Sequence, residues 1–354
     1  MIVLRPVVIL TSVLMLGGSA LAQLQLTPQA ADAPSKASKR VKTKTIKPTL
    51  PKKEAVKPAK AATTPDKKAD AQVLDNPNAD LVYGAYQRGM YKTAFDLAMK
   101  RAQENKDPAA MTMLGELYAN ALGAKRDYGQ AIQWYQRATD LGDREAMFAL
   151  AMLRIGGRGG PPDSAAGAKL LASSAKLGEP KAAYNLALLY MDGQTLPQDF
   201  KRAAELLRFA ADAGSPEAQY ALATFYKEGR GVEKNLFTSV RLLQAASLAG
   251  NVDAEVEYAI ALFNGTGTEK NEAAAVSLLR KAARQNSAIA QNRLARVLVT
   301  GMGAPMDKVE GLKWHIVAKT AGKGDLMLDE ALAQATPEER AKAQDDARKW
   351  LGVK

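Results

Sequence analysis

A period of 36 residues runs through most of this 354-residue sequence. Gly142, Gly178, Gly214 and Gly250 each follow the one before at that interval. In the same register the third residue of every unit is alanine, the eighth is small, and the twenty-seventh and twenty-eighth are large. Self-similarity at this length is typical of repeat proteins. The chain is therefore predicted to fold as a stack of similar units, each packed on its neighbours.

Each unit has the pattern of two helices. In residues 216–251, Ala218, Leu222 and Phe225 follow helical spacing, a Gly-x-Gly turn comes next, and a second apolar helix ends at the repeating glycine. That glycine is predicted to adopt the left-handed conformation, which other residues adopt only with strain. Asn286 replaces it in the fifth unit, and asparagine also tolerates this conformation.

The full pattern resembles a known family. A-x-x-x-L-A/G-x-x-Y-x-x-G-x-G followed by A-x-x-L-L-x-x-A-A-x-x-G is similar to the Sel1-like repeat, a longer relative of the tetratricopeptide repeat. The stretch PEAQYALATFYKEGRGVEKN, residues 216–235, is nearly a consensus copy. The resemblance implies an all-α fold, an α-solenoid of antiparallel helix pairs stacked as a right-handed superhelix.

The chain divides into four predicted segments. Residues 1–22 have the charge, apolar run and small residues of a cleavable signal peptide, and the alternative is an uncleaved membrane anchor. Residues 23–78 are predicted to be a disordered Lys/Pro/Ala-rich linker, residues 79–325 the repeat array, and residues 326–354 C-terminal capping helices. The predicted units are 79–107, which is degenerate, 108–143, 144–179, 180–215, 216–251, 252–287 and 288–325. The protein is thus expected to be periplasmic or otherwise exported.

The basic charge is concentrated in the linker. Residues 23–78 contain 12 Lys or Arg against five Asp or Glu, and this segment has no aromatic residue. We interpret it first as a spacer, and alternatively as a weak electrostatic contact with an anionic envelope surface. Because no aromatic side chains are interleaved for stacking on bases, we expect no nucleic-acid partner.

Catalytic chemistry finds little support in the sequence. The chain has no cysteine and one histidine, which excludes disulfides, zinc clusters and cysteine nucleophiles. His315 stands where other units place Leu or Tyr and is expected to be a packing residue. Glu116, Glu228 and Glu257 belong to different units, and we expect no pairing among them. The Gly-x-Gly loops follow helices rather than strands, so they are interpreted as turns rather than phosphate sites. We predict no enzyme, no cofactor and no metal site.

A groove formed by the first helix of each unit is the predicted partner site. In the tetratricopeptide arrays that this chain resembles, ligand-facing positions are the fifth, ninth and twelfth of the unit. The same positions in this chain, together with the sixth position in two units, predict a binding surface for a protein or peptide. An alternative is that this apolar stripe is core between repeats. The predicted binding residues are Phe148, Met152, Tyr184, Asn185, Leu188, Tyr220, Thr224, Lys227, Ile260, Phe263, Arg293 and Arg296.

The predicted function is a non-catalytic periplasmic scaffold or regulator that binds a partner in this groove. Exported Sel1-like proteins resemble regulators of envelope or exopolysaccharide signalling, which implies a membrane sensor protein as one kind of partner. The alternative is a structural cell-envelope protein held to anionic polymer or lipid by its basic linker.

Overall fold

The computed structural model describes residues 80–352. The predicted signal peptide (1–22) and linker (23–78) lie outside that range, as do the first residue of the predicted array and the last two of the capping segment. The described residues form 16 helices and no strand, which confirms the predicted all-α repeat fold. The handedness of the superhelix stays a prediction.

The helices follow one another in antiparallel pairs. A short pair opens the described chain, six regular pairs follow, and two helices close it. In chain order they are α1 (Leu81–Gln87) with α2 (Tyr91–Asn105), α3 (Pro108–Asn120) with α4 (Tyr128–Asp140), α5 (Arg144–Ile155) with α6 (Ser164–Lys176), α7 (Pro180–Asp192) with α8 (Phe200–Asp212), α9 (Pro216–Glu228) with α10 (Leu236–Leu248), α11 (Val252–Asn264) with α12 (Glu272–Arg284), α13 (Ala288–Thr300) with α14 (Lys308–Thr320), and then α15 (Leu326–Ala333) and α16 (Pro337–Leu351). We call the odd-numbered helices from α3 to α13 the first helices, and the even-numbered helices from α4 to α14 the second helices.

Local sequence signals set the ends of these helices. Each of the twelve helices in the six regular pairs begins after an Asp, Asn, Ser or Glu whose side chain accepts a hydrogen bond from a first-turn N–H. Such a cap contributes about 1 kcal/mol to helix stability. The second helices end two residues before the repeating glycine, which then turns the chain at positive φ, as at Gly214 (φ +90°). Asn286 adopts the same region at φ +64°, as predicted.

Alanine and glycine let the units approach closely. The alanine at the third position of each unit is buried in all six, for example Ala182 and Ala218. The second glycine of the Gly-x-Gly turn lies against the start of the preceding unit's second helix. A Cβ at Gly231 would lie 2.1 Å from the carbonyl oxygen of Phe200, and one at Gly267 would lie 2.5 Å from that of Leu236. These two glycines therefore serve both the turn and the stacking of one unit on the next.

The last two helices cover the end of the array. Thr336 and Glu339 form the predicted capping box at the start of α16, with each side chain bonded to the other residue's backbone N–H. The helix packs on α14, where the rings of Trp350 and Trp314 meet edge to face at 5.0 Å between centroids. The ammonium of Lys313 lies over both rings. This contact gives the final regular pair a neighbour to pack on, as the terminal unit of a repeat array requires.

Candidate functional site

The predicted binding residues lie on five consecutive first helices, α5 to α13. Ten of the twelve are half-buried, Lys227 is exposed, and Phe263 is buried. The surface that these helices share, which we call the first-helix face, thus carries side chains that are partly covered by neighbouring units and partly open to solvent. Tyr184 and Tyr220 occupy the same repeat position on adjacent first helices, α7 and α9.

Phe263 belongs to the interior rather than to this face. Its side chain is only 6% exposed. A Cβ at Gly303 would lie 2.9 Å from its ring, so the ring packs against the turn that follows α13 in the next unit. In the folded protein the ring of Phe263 is not accessible to a partner. For this residue the alternative interpretation is correct: its side chain is part of the core between repeats.

Two of the predicted polar contacts are already used inside the chain. The side-chain amide of Asn185 donates to the backbone oxygen of Lys181 at 2.8 Å, one turn earlier on α7. The guanidinium of Arg296 donates to Asp325 at 2.5 Å, and this carboxylate caps α15. Arg296 therefore anchors the C-terminal helices. Burial, together with the positive charge of Arg296, lowers the pKa of the neighbouring Arg293.

A cleft opens on the first-helix face at Tyr220. It has a volume of about 190 Å³ and is lined by α9, α10 and α11. Tyr220, Thr224 and Lys227 contribute to it from α9, so three of the predicted binding residues share one concavity. Glu228 and Glu257 complete its polar rim.

Negative charge surrounds the hydroxyl of Tyr220. Burial, followed by the carboxylates of Glu257, Asp253 and Glu228, raises its pKa to about 12. The pKa of Tyr184 is also raised, by burial and then by Glu217 on the next first helix. Both phenols keep their protons at neutral pH, so each has an O–H that can donate a hydrogen bond.

The carboxylates of the cleft were missed by sequence reasoning. Glu228 and Glu257 lie in different units, yet they line the same cleft. Glu257 also accepts a hydrogen bond from Lys227 at 2.8 Å, which links α9 to α11. The repeat register could have predicted this proximity. Stacking places the end of one first helix, where Glu228 lies, beside the middle of the next, where Glu257 lies. Glu116 is separate and accepts a hydrogen bond from Asn120 at 2.7 Å.

His315 is fully buried on α14, which agrees with its interpretation as a packing residue. Its Nε2 lies 2.8 Å from a carboxylate oxygen of Asp329, and its Nδ1 has no hydrogen-bond partner among the described residues. A ring without solvent access cannot touch a substrate in this conformation. Within residues 80–352 we also find no group of three or more His, Asp or Glu arranged to hold a metal ion.

A known protein family matches this chain unit by unit. The family model described as "Sel1 repeat" matches residues 108–143, 144–179, 180–215, 216–251, 252–287 and 288–323. A search of curated proteins finds no match. In residues 80–352, no helix combines the length and apolar character needed to cross a membrane.

Two solved structures are similar over most of the chain. One is a protective antigen present in uropathogenic Escherichia coli strains that displays an SLR fold, with 26% identity, a TM-score of 0.63 and coverage of 73% of this chain. This chain spans only 56% of that protein's length. The other is a Sel1 repeat protein from Oxalobacter formigenes, with 26% identity and a TM-score of 0.61; the match covers 68% of this chain and 98% of that protein.

Proposed function

The chain belongs to the Sel1 repeat family, and on that premise we propose that it is a periplasmic scaffold that binds a protein or peptide on its first-helix face. Sel1 repeat proteins generally mediate protein–protein interaction, and the family is generally non-catalytic. For this chain we propose the periplasm as the location, the first-helix face as the binding surface, and a protein or peptide as the partner.

The cleft at Tyr220 is the observation that carries the proposal. It combines the half-buried ring of Tyr220 with three hydroxyls, a cation and two carboxylates within one concavity. Adjacent first helices continue it with Tyr184 and Leu188 on α7 and Ile260 on α11, all half-buried. Tyrosines that expose one edge of the ring and a hydroxyl are common anchors at protein interfaces. A short peptide segment lying across α7, α9 and α11 fits this arrangement.

The sequence motivates the location and the kind of partner. The signal-peptide pattern of residues 1–22 supports export, and the resemblance to exported Sel1-like regulators favours a membrane sensor protein of envelope signalling as the partner. Its periplasmic part would be the region that meets the first-helix face.

Affinity capture from a native envelope extract tests the proposal. The full chain is compared with Tyr184→Ala/Tyr220→Ala, and with Phe209→Ala, which removes a partly exposed aromatic ring from the second helix α8. We expect a discrete protein to be retained at high salt by the wild type and by the Phe209 variant, and lost from the tyrosine variant. Far-UV circular dichroism verifies that all three are folded. Retention that is equal in all three would contradict the proposal.

The basic linker favours a second function, in which the chain is a structural envelope protein held to anionic polymer or lipid. The observation that supports this second function is the excess of Lys and Arg over Asp and Glu in residues 23–78. This function predicts capture that survives the tyrosine substitutions but is lost in high salt and on deletion of residues 23–78.

A further inference from the structure

The two helix layers of the array carry opposite net charge. The six second helices contain 13 Lys or Arg against five Asp or Glu, a net charge of +8. The six first helices contain six Lys or Arg against eight Asp or Glu, a net charge of −2. The basic character of the folded part is therefore confined to the second helices, whose exposed surface we call the second-helix face.

Three second helices, α8, α12 and α14, carry three cations each, and two of them flank α10. The cations of the flanking helices are Lys201, Arg202 and Arg208 on α8, and Arg280, Lys281 and Arg284 on α12. All but the half-buried Arg280 are exposed. Acidic residues offset part of this charge. Glu205, Asp212 and Glu272 lie on the same two helices. In addition, Arg202, Arg280 and Lys281 form ion pairs with Asp199, Glu310 and Glu255.

The helix between them exposes large apolar side chains. Phe237 on α10 is 69% exposed and Leu248 is 83% exposed. They lie eleven residues apart, which returns to the same side of an α-helix, and Arg241 lies between them on that side. Arg241 is exposed and makes no ion pair within residues 80–352. A strip with an aromatic ring, a guanidinium and a leucine thus projects from the middle of the basic surface.

From this arrangement we infer that the second-helix face binds the surface of an anionic phospholipid bilayer. Lysine and arginine near such a surface are each attracted to it, and the attraction is screened by salt. Aromatic and leucine side chains that project from a basic helical face enter the boundary between headgroups and acyl chains. The cations are spread over successive helices and do not converge on one cavity, which favours an extended, uniformly charged surface over a single acidic peptide. The inference concerns exposed side chains of the second helices, whereas the proposed partner residues lie on the first helices, and it does not depend on the proposed function.

A site-specific label tests whether this face meets the bilayer. Because the chain has no cysteine, Leu248→Cys gives a unique attachment point for an environment-sensitive fluorophore. Glu217→Cys, at an exposed position on the first helix α9, is the matched control. The labelled full chains are mixed with vesicles of phosphatidylcholine, with and without phosphatidylglycerol. We expect a blue shift only for the label at 248, only with the anionic vesicles, and its loss at high salt.

A pair of charge reversals tests the electrostatic part. Arg241→Glu on the second-helix face and Lys181→Glu on the first helix α7 change the net charge equally, and both positions are exposed. We expect about a 25-fold lower vesicle partition coefficient for Arg241→Glu, from about fivefold for each unit of charge, and little change for Lys181→Glu. The inference is overturned if the two variants bind alike. It is also overturned if the chain sediments with vesicles while the label at 248 stays in water, which would assign the binding to residues 23–78. Binding to soluble polyglutamate without binding to vesicles would instead make this face a site for acidic proteins, and it too overturns the inference.

Discussion

Glu255 provides a direct test of how the repeat register controls stability. It is the fourth residue of its unit and is fully buried. One carboxylate oxygen accepts a hydrogen bond from Lys281 at 2.7 Å, and the other has no hydrogen-bond partner in the part of the chain that the structure describes. The neighbouring units place glutamine at this position. The amides of Gln219 and Gln291 donate to the backbone oxygens of Ala211 and Ala283, at 3.2 and 3.1 Å.

We therefore expect Glu255→Gln to stabilise the protein. The register places the carbonyl of Ser247 where Ala211 and Ala283 lie in the other two units, so the new amide gains the equivalent acceptor. A net hydrogen bond is worth about 1 kcal/mol, and an unsatisfied buried oxygen costs about 1–3 kcal/mol. The amide oxygen can still accept from Lys281, whose side chain is 56% exposed, so at most about 1 kcal/mol of ion pairing is lost. The expected gain in unfolding free energy is about 1–3 kcal/mol.

The assay is urea unfolding followed by circular dichroism, with hydrogen exchange of α10 to α12 as a local measure. The reciprocal substitution Gln291→Glu is the control. It removes the donor to Ala283 and buries a carboxylate, so it should lower the stability by about 1–3 kcal/mol. A lower urea midpoint for Glu255→Gln, or equal midpoints for the two variants, would refute the argument that the repeat register sets these bonds.

Three further predictions concern the turns, the cleft and the C-terminal cap. Gly231→Ala should lower the unfolding free energy by about 3 kcal/mol in urea titration, because the new Cβ meets the Phe200 carbonyl and the residue has positive φ. The control is Gly214→Ala: Gly214 also has positive φ, but a Cβ there would meet open space, so the cost should be only about 1–2 kcal/mol. Because the pKa of Tyr220 is raised to about 12, its stabilising effect is present below the unfolded-state pKa of about 10 and is lost as the pH rises from there to 12. Tyr220→Phe should therefore flatten this part of a plot of melting temperature against pH, and an unchanged slope would count against the raised pKa. Thr336→Ala should destabilise the final helix by about 1 kcal/mol and increase its hydrogen exchange, whereas unchanged exchange would mean that the capping box contributes nothing.

Several predicted binding residues could be assigned only once the residues packed against them in the tertiary structure were known. The twelfth position of a unit is exposed in Lys227 and buried in Phe263, although both belong to first helices of similar sequence. The difference comes from the next unit, where Gly303 leaves space for the ring of Phe263. In the same way Arg296 was predicted to contact a partner, but it binds Asp325, the residue that caps α15.

The sequence by itself determined the repeat, the order of the helices and their caps, because these depend on interactions within a few residues. A side chain such as Asp199 that accepts from the N–H three residues later, or a left-handed residue such as Asn286, acts through local backbone geometry and is visible as a residue type at a fixed interval. Only the tertiary structure decided which side chains remain on a surface and which charges meet. Glu228 and Glu257 come from different units, and they share one cleft because stacking brings the end of α9 beside α11. The exposure of a side chain depends on the shape of the unit stacked against it, and an average repeat pattern does not contain that shape.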